Sequence, residues 1–180
     1  MMNDQLAELI AHGRAARDNG RLDDAKDCFV AAVAQGRKTR DQTQFVQALT
    51  ELGQLDRQLG NLTSALKHYL DVVAIYRAQK NSLLLAHAVR EVADIYREQG
   101  QVDKAVPFYQ EALEIYRLQE LAPPLELADS LRGYALLAAD TADPEETMML
   151  WYEAMAHYAE AGSADRVAEC QSQIAFLMGR

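Results

Sequence analysis

"REQGQVDKAVPFYQEALEIYR", residues 97–117, ends one helical pattern, turns at a glycine and runs through most of a second helix. Forty residues upstream, residues 57–77 read "RQLGNLTSALKHYLDVVAIYR". Arg57 and Arg97, Gly60 and Gly100, Ala65 and Ala105, Tyr69 and Tyr109, and the endings Ile75-Tyr76-Arg77 and Ile115-Tyr116-Arg117 fall in register. A fixed interval of this size is the mark of a stacked repeat, in which one supersecondary unit recurs.

The echo runs in both directions. "RDNGRLDDAKDCFVAAV" supplies Gly20, Ala25, Phe29 and Ala32, and "LLAADTADPEETMMLWYEAMAHY" supplies Ala142, Thr147, Trp151, Ala154 and Tyr158. The last interval is forty-two, the two extra residues entering at the proline-marked "LAPPLE". Cap signals agree with a helix–turn–helix unit. Asp23, Thr63 and Asp103 stand just after the turn as N-cap candidates, and Asp143-Pro144-Glu145-Glu146 offers a cap, a first-position proline and first-turn acids. Pro107 is expected in the first turn, where a missing donor costs little. The pattern predicts four hairpins and a ninth helix over about 165–178.

Side-chain size explains why the spacing repeats. Gly13, Gly53, Ala93 and Ala135 share one first-helix position; twelve residues on come Ala25, Ala65, Ala105 and Thr147. Then follow Phe29, Tyr69, Tyr109 and Trp151, and after them Ala32, Val72, Ala112 and Ala154. Small residues let helices approach, and the aromatic fills the space against a neighbour; burying such a ring contributes about 2–3 kcal/mol.

Bulk properties narrow the class. The 180 residues are 49% hydrophobic, with nine glycines and four prolines, so an all-helical globular chain is expected. A formal charge of −9 and a pI near 4.9 argue against nucleic acid, which is bound through clustered Lys and Arg. Cys28 and Cys170 form no CxxC pair and are expected as free thiols, which favours a reducing compartment. "MMNDQLAELI" lacks the basic and apolar segments of a signal peptide, and no uncharged run reaches a membrane span, so the cytoplasm is the default location.

On the small–small–aromatic–small spacing, the sequence resembles the tetratricopeptide repeats. That resemblance implies a single domain over 1–180: an all-α, right-handed α-solenoid of four antiparallel helix hairpins plus a C-terminal capping helix. The repeats are approximately 5–44, 45–84, 85–126 and 127–164, with the cap at 165–178. The period exceeds the ~34 residues of the common form and is similar to that of kinesin light chains and bacterial peptide-sensing regulators. Departures from the usual pattern are clear. Leu9, Leu49, Val89 and Leu131 stand where an early aromatic is usual; the tyrosine before the turn survives as Tyr96 but is Ala16, Asp56 and Ala138 elsewhere. Arg37, Arg77, Arg117 and Ala159 replace the closing proline.

No constellation points to catalysis. His12, His68, His87 and His157 belong to no HExxH pair or Cys/His cluster, and there is no glycine-rich phosphate loop or nucleophile elbow. No metal or cofactor is expected, and the chain is read as a non-enzyme. The glycine of "LRGYAL" marks a close helix approach, and Tyr76, Tyr116 and Tyr158 are read as inter-repeat packing.

The resemblance places the concave wall on the first helices. Carried over by register, its columns are Arg17, Arg57, Arg97 and Ala139; Arg14, Gln54, Asp94, Leu136 and Phe176; Ile10, Thr50, Arg90 and Arg132; and Ala7, Gln47, His87 and Asp129. The candidate peptide-binding residues are Arg14, Arg17, Gln47, Gln54, Arg57, His87, Arg90, Asp94, Arg97, Arg132, Leu136 and Phe176. In one reading the arginines hold carboxylates of a partner's peptide segment, in bidentate fashion where geometry permits, while Leu136 and Phe176 take an apolar side chain. In the other each arginine pairs with a neighbouring acid such as Asp56, Glu91, Asp94 or Glu98 and keeps the wall soluble. The carboxylate clamp of chaperone-binding repeats would fall on Ile10, Arg14, Glu51, His87 and Glu91, a poor match, so no chaperone partner is inferred.

The expected function is a protein–protein interaction scaffold with a protein or peptide partner and no nucleic acid or membrane. A peptide-sensing regulatory module is the alternative, as is a homo-oligomerising adaptor. For the latter, the apolar "IAFLMGR" either caps the last hairpin or forms a self-association patch giving a homodimer.

Overall fold

The computed structural model describes residues 2–38, 42–139 and 144–179, with side chains from Gln5 onward. Among the described residues all regular structure is helical, in nine segments. Contacts divide the chain into two compact units. Unit 1, Met1–Lys80, holds α1 (Met2–Asp18), α2 (Leu22–Gly36), α3 (Gln42–Gln58) and α4 (Leu62–Gln79). Unit 2, Asn81–Arg180, holds α5 (Ser82–Glu98), α6 (Val102–Arg117), α7 (Pro124–Ala138), α8 (Pro144–Glu160) and α9 (Ala164–Met178).

Within each unit the helices pack chiefly in sequential pairs: α1 with α2 and α3 with α4, then α5 with α6 and α7 with α8. Pairs are joined through α2–α3 in unit 1 and through α6–α7 and α8–α9 in unit 2. First helices also touch, α1 with α3 and α5 with α7, so each unit carries a wall of its own made of first helices.

The size pattern does what the spacing predicts. Ala25, Phe29, Ala32, Ala65, Tyr69, Val72, Ala105, Tyr109, Ala112, Thr147, Trp151 and Ala154 are all at most 2% exposed. A Cβ on Gly13 would stand 2.5 Å from the Phe29 ring, and one on Gly53 would stand 3.0 Å from Tyr69. Gly133, the glycine of "LRGYAL", lies against Tyr109 in the same way, at 2.7 Å. Trp151, Tyr116 and Tyr158 form one core cluster of unit 2 with Leu131, Cys170 and Ile174. Cys28 is half-buried, and both thiols are free.

Two local expectations are corrected. Asp23, Thr63 and Asp103 are not N-caps; Arg21, Asn61 and Gln101 hold that position, without side-chain cap bonds. The reason lies in the preceding turn. Gly20, Gly60 and Gly100 take φ of 73°, 77° and 69°, the left-handed region that suits glycine. The next residue's N–H reaches back five residues: Arg21 to the Ala16 carbonyl, Asn61 to Asp56 and Gln101 to Tyr96. This is the Schellman motif. It makes the residue after glycine both the end of one helix and the cap of the next, so the polar residues fall at the second helical position. Asp23 and Asp103 act there through the helix dipole instead. Gly162 repeats the turn between α8 and α9. Asp143, the fourth cap candidate, and Ala142 lie outside the described residues.

Pro107 is the second correction. Because α6 begins at Val102, the proline occupies the second turn, inside the helix. Its missing N–H removes the bond that the Asp103 carbonyl would accept, and the exposure of Pro107 leaves that carbonyl to water.

Candidate functional site

In unit 1 the wall of α1 and α3 is organised around a single carboxylate. Glu51 is buried, its side chain 8% exposed, and two guanidinium groups close on it from α1. Arg14 Nε donates to Oε1 at 2.5 Å, and Arg17 Nη1 donates to Oε2 at 2.7 Å. Arg14 and Arg17 are one helical turn apart, so both side chains leave α1 on the side facing α3. Arg17 also lies over the Phe29 ring, 5.8 Å from its centroid, which fixes the plane of its fork. The exposed Asp18 lies 4.0 Å from Arg17 Nε, at the limit of an ion pair, so the two guanidinium groups hold more N–H donors than Glu51 can accept. Gln47 and Gln54 are exposed on the same wall, Arg57 is half-buried beside it, and Ile10 is buried.

Unit 2 inverts that ratio. Arg90 is 11% exposed at its side chain and is surrounded by acids. It donates to Glu91 at 2.6 Å and to Asp94 at 2.8 Å, and lies 3.8 Å from Glu126. Burial alone would lower its pKa, but Glu91, Asp94 and Glu126 more than offset this and push it up, so the guanidinium is permanently charged. Asp94 takes a further bond from the Tyr109 hydroxyl at 2.5 Å, and Arg97 Nε donates to that hydroxyl at 3.1 Å. Burial, then Asp94, raise the Tyr109 pKa far above its ordinary value, so it acts as a donor throughout. Arg132 binds Glu169 of α9 through two N–H groups at 2.9 and 2.6 Å, and those bonds hold the Glu169 carboxyl below its usual range. The Tyr158 hydroxyl donates to Asp129 at 2.6 Å.

His87 is 37% exposed at its side chain and sits 3.8 Å from Glu126. Leu136 packs partly buried against the core of unit 2, while Phe176 of α9 is 57% exposed. The two readings of the wall arginines thus meet different answers. Arg90, Arg97 and Arg132 are matched by acids of their own unit, while Arg14 and Arg17 share the buried Glu51, with the exposed Asp18 4.0 Å from Arg17. The partner acid in unit 1 is Glu51 rather than Asp56, whose carboxylate bonds Lys26 of α2. Glu51, Glu126, Glu169 and the Tyr109 hydroxyl were not singled out from sequence as groups that engage the wall arginines. A signal existed for the first, since Glu51 and Glu91 are acids in register immediately after a wall position.

Among the described residues no group of three or more His, Cys, Asp or Glu could hold a metal ion. Nor is any described helix long and apolar enough to cross a membrane.

Residues 44–118 match the tetratricopeptide repeat family. No curated protein matches the chain in sequence. Among solved structures, aspartyl phosphate phosphatase F from Bacillus subtilis superposes with a TM-score of 0.82 at 12% identity, over 93% of this chain and 44% of its own. The Rap conjugation gene regulator of plasmid pLS20, solved with the Phr* peptide, gives 0.72 at 12% identity, over 94% and 47%. Nearly identical kinesin light chain TPR-like repeats from Podosopora anserina give 0.58 at 21% identity, over 96% and 94%. The chain therefore spans about half the length of the first two, and the likeness to all three is one of fold. Over residues 44–118 the hairpins are tetratricopeptide repeats, and the fold of the chain is like that of the kinesin light chain-like and Rap structures.

Proposed function

We propose that these tetratricopeptide repeats serve as a non-enzymatic protein-interaction scaffold in the cytoplasm, holding a peptide segment of a partner against the first-helix wall. Supporting this is the likeness in fold to a Rap regulator solved with a peptide, together with the dispersal of the four histidines along the chain. The observation that carries the reading is the Arg14–Glu51–Arg17 group, in which one buried carboxylate leaves two guanidinium forks underused. A partner segment rich in Asp or Glu fits that surplus, through charge-assisted and bidentate bonds. Gln47 and Gln54 offer amides to its backbone from the same face.

Peptides selected from a random library on the full chain test this. The acidic ones should lose at least tenfold in affinity, roughly 1.4 kcal/mol, on Arg14→Gln with Arg57→Gln. Their binding should also weaken between 50 and 300 mM salt, as expected of exposed charges. Equal affinity for wild type and variant would remove the wall as the site. The likeness to the Rap regulator also favours a second reading, in which the bound peptide is a signal whose arrival changes what a further protein can bind.

A further inference from the structure

Outside the wall, each unit carries a cleft on its second-helix side, and the two clefts are the same place in the repeat. The cleft of unit 1, about 320 Å³, is lined by residues that include Val33, Ala34, Arg37, Leu52 and His68. That of unit 2, about 410 Å³, is lined by their counterparts Leu113, Glu114, Arg117, Tyr134 and Leu150. The floors differ. Asp56 of unit 1, 2% exposed, stands in the column that elsewhere holds Ala16, Tyr96 and Ala138. Lys26 stands where Leu66, Val106 and Met148 recur, and His68 where Phe108 and Leu150 do.

The three polar residues are brought together from three helices. Lys26 Nζ lies 3.1 Å from Asp56 Oδ1, Asn61 Nδ2 donates to the same oxygen at 3.3 Å, and His68 Nε2 lies 3.5 Å from Oδ2. His68 Nδ1 is buried and makes no hydrogen bond among the described residues. A buried carboxylate in an otherwise apolar column costs stability unless it is fully matched, and apolar residues of similar volume would do as well or better. Unit 2 uses them. The polar floor of unit 1 thus calls for a reason beyond packing.

The rim supplies one. Arg117 of unit 2 is occupied, its Nη2 bonding both carboxylate oxygens of Glu153 at 2.9 and 2.8 Å. The counterpart pair in unit 1, Arg37 and Asp71, forms no ion pair, and Arg37 has none among the described residues. An unengaged guanidinium therefore stands over a slot with apolar walls, one of which, Val30, is 48% exposed.

We infer that the unit 1 cleft binds a small aliphatic monocarboxylate, its carboxylate on Arg37 and its apolar body on Val30, Val33 and Leu52, over the Lys26–Asp56–His68 floor. The charge of the site selects this chemistry. A cation finds Asp56 already bonded by Lys26 and Asn61. A dianion meets the field of Asp56 with a single unengaged guanidinium to offset it. The volume lies at the small end of ligand pockets, which run from about 300 to 1,000 Å³. This site is separate from the first-helix wall, and its fate does not depend on the scaffold reading.

The test is an amide and imidazole NMR titration of the full chain with hexanoate, with acetate and hexylammonium as controls. Hexanoate should shift Val30, Val33, Ala34 and His68 saturably, and the controls should not. Arg37→Gln, an exposed position whose change leaves the fold intact, should weaken hexanoate at least fivefold, and Val30→Asp should do the same from the apolar side. Equal shifts from hexylammonium or acetate would overturn the assignment. So would equal shifts at Leu113 and Leu150, or a response unmoved by both variants.

Discussion

The two first-helix walls are built from the same register positions and reach opposite charge states. In unit 1 Arg14 and Arg17 converge on one buried carboxylate, Glu51, with the exposed Asp18 at 4.0 Å from Arg17. In unit 2 Arg90 faces three acids, Glu91, Asp94 and Glu126, and Arg97 also reaches Asp94. The unit 1 pair shares its nearest buried acid, whereas in unit 2 Arg90 is met by several acids and Arg132 by Glu169. An arginine column visible in sequence thus meets two different settings, one poor in acids, proposed above as a binding surface, and one rich in them.

Removing one arginine from each wall separates these roles most sharply. Arg90→Met removes the central cation between the buried Glu91 and Asp94, though Asp94 keeps Tyr109 and Arg97. It should cost about 3–5 kcal/mol in urea unfolding, the loss typical of breaking a buried pair. Arg14→Met leaves Glu51 with Arg17, and should cost less than about 1 kcal/mol because the Arg14 side chain is 43% exposed. Equal losses would erase the contrast. Within unit 2, Tyr109→Phe removes a donor to the buried Asp94 carboxylate and should cost about 1.5–3 kcal/mol. Tyr116→Phe should be close to neutral, since the Tyr116 hydroxyl makes no hydrogen bond among the described residues.

The smallest effect is on pH dependence and belongs to unit 1. Burial lowers the His68 pKa from its ordinary 6.5, more than Asp56 and Asp71 raise it, while Lys67 and Arg37 lower it further; Lys26 faces the same cluster. The unfolded chain then binds the proton more readily than the folded one, so this contribution is present above pH 6.5 and is lost as pH falls below it. Unfolding free energy should therefore drop between pH 7 and 5.5, and His68→Gln should flatten that part of the profile. Leu150, the unit 2 counterpart, has nothing to titrate.

The fold was legible because its causes are local and repeated. Gly13 and Gly53 against Phe29 and Tyr69 are size complementarities, and size can be read along a sequence at a fixed interval. The turn glycines were equally plain, but the Schellman bond that makes Asn61 both an end and a cap depends on backbone geometry that propensity does not encode. The wall was harder. Its arginines could be placed by register, yet which acid each one meets depends on side chains crossing between helices. Arg132 meeting Glu169 spans 37 residues, and no spacing rule connects them. The polar floor of Lys26, Asp56 and His68 breaks three apolar columns, each visible in the register, but that the three meet is not written in any spacing.

Site-specific photo-cross-linking measures the central claim most directly. With p-benzoylphenylalanine at Gln47 or Gln54, both exposed on the α3 wall, acidic peptides selected on the full chain should become attached there, and excess salt should suppress the attachment. Attachment only from probes placed at Leu118 or Leu121, or selected peptides dominated by Lys and Arg, would contradict the account.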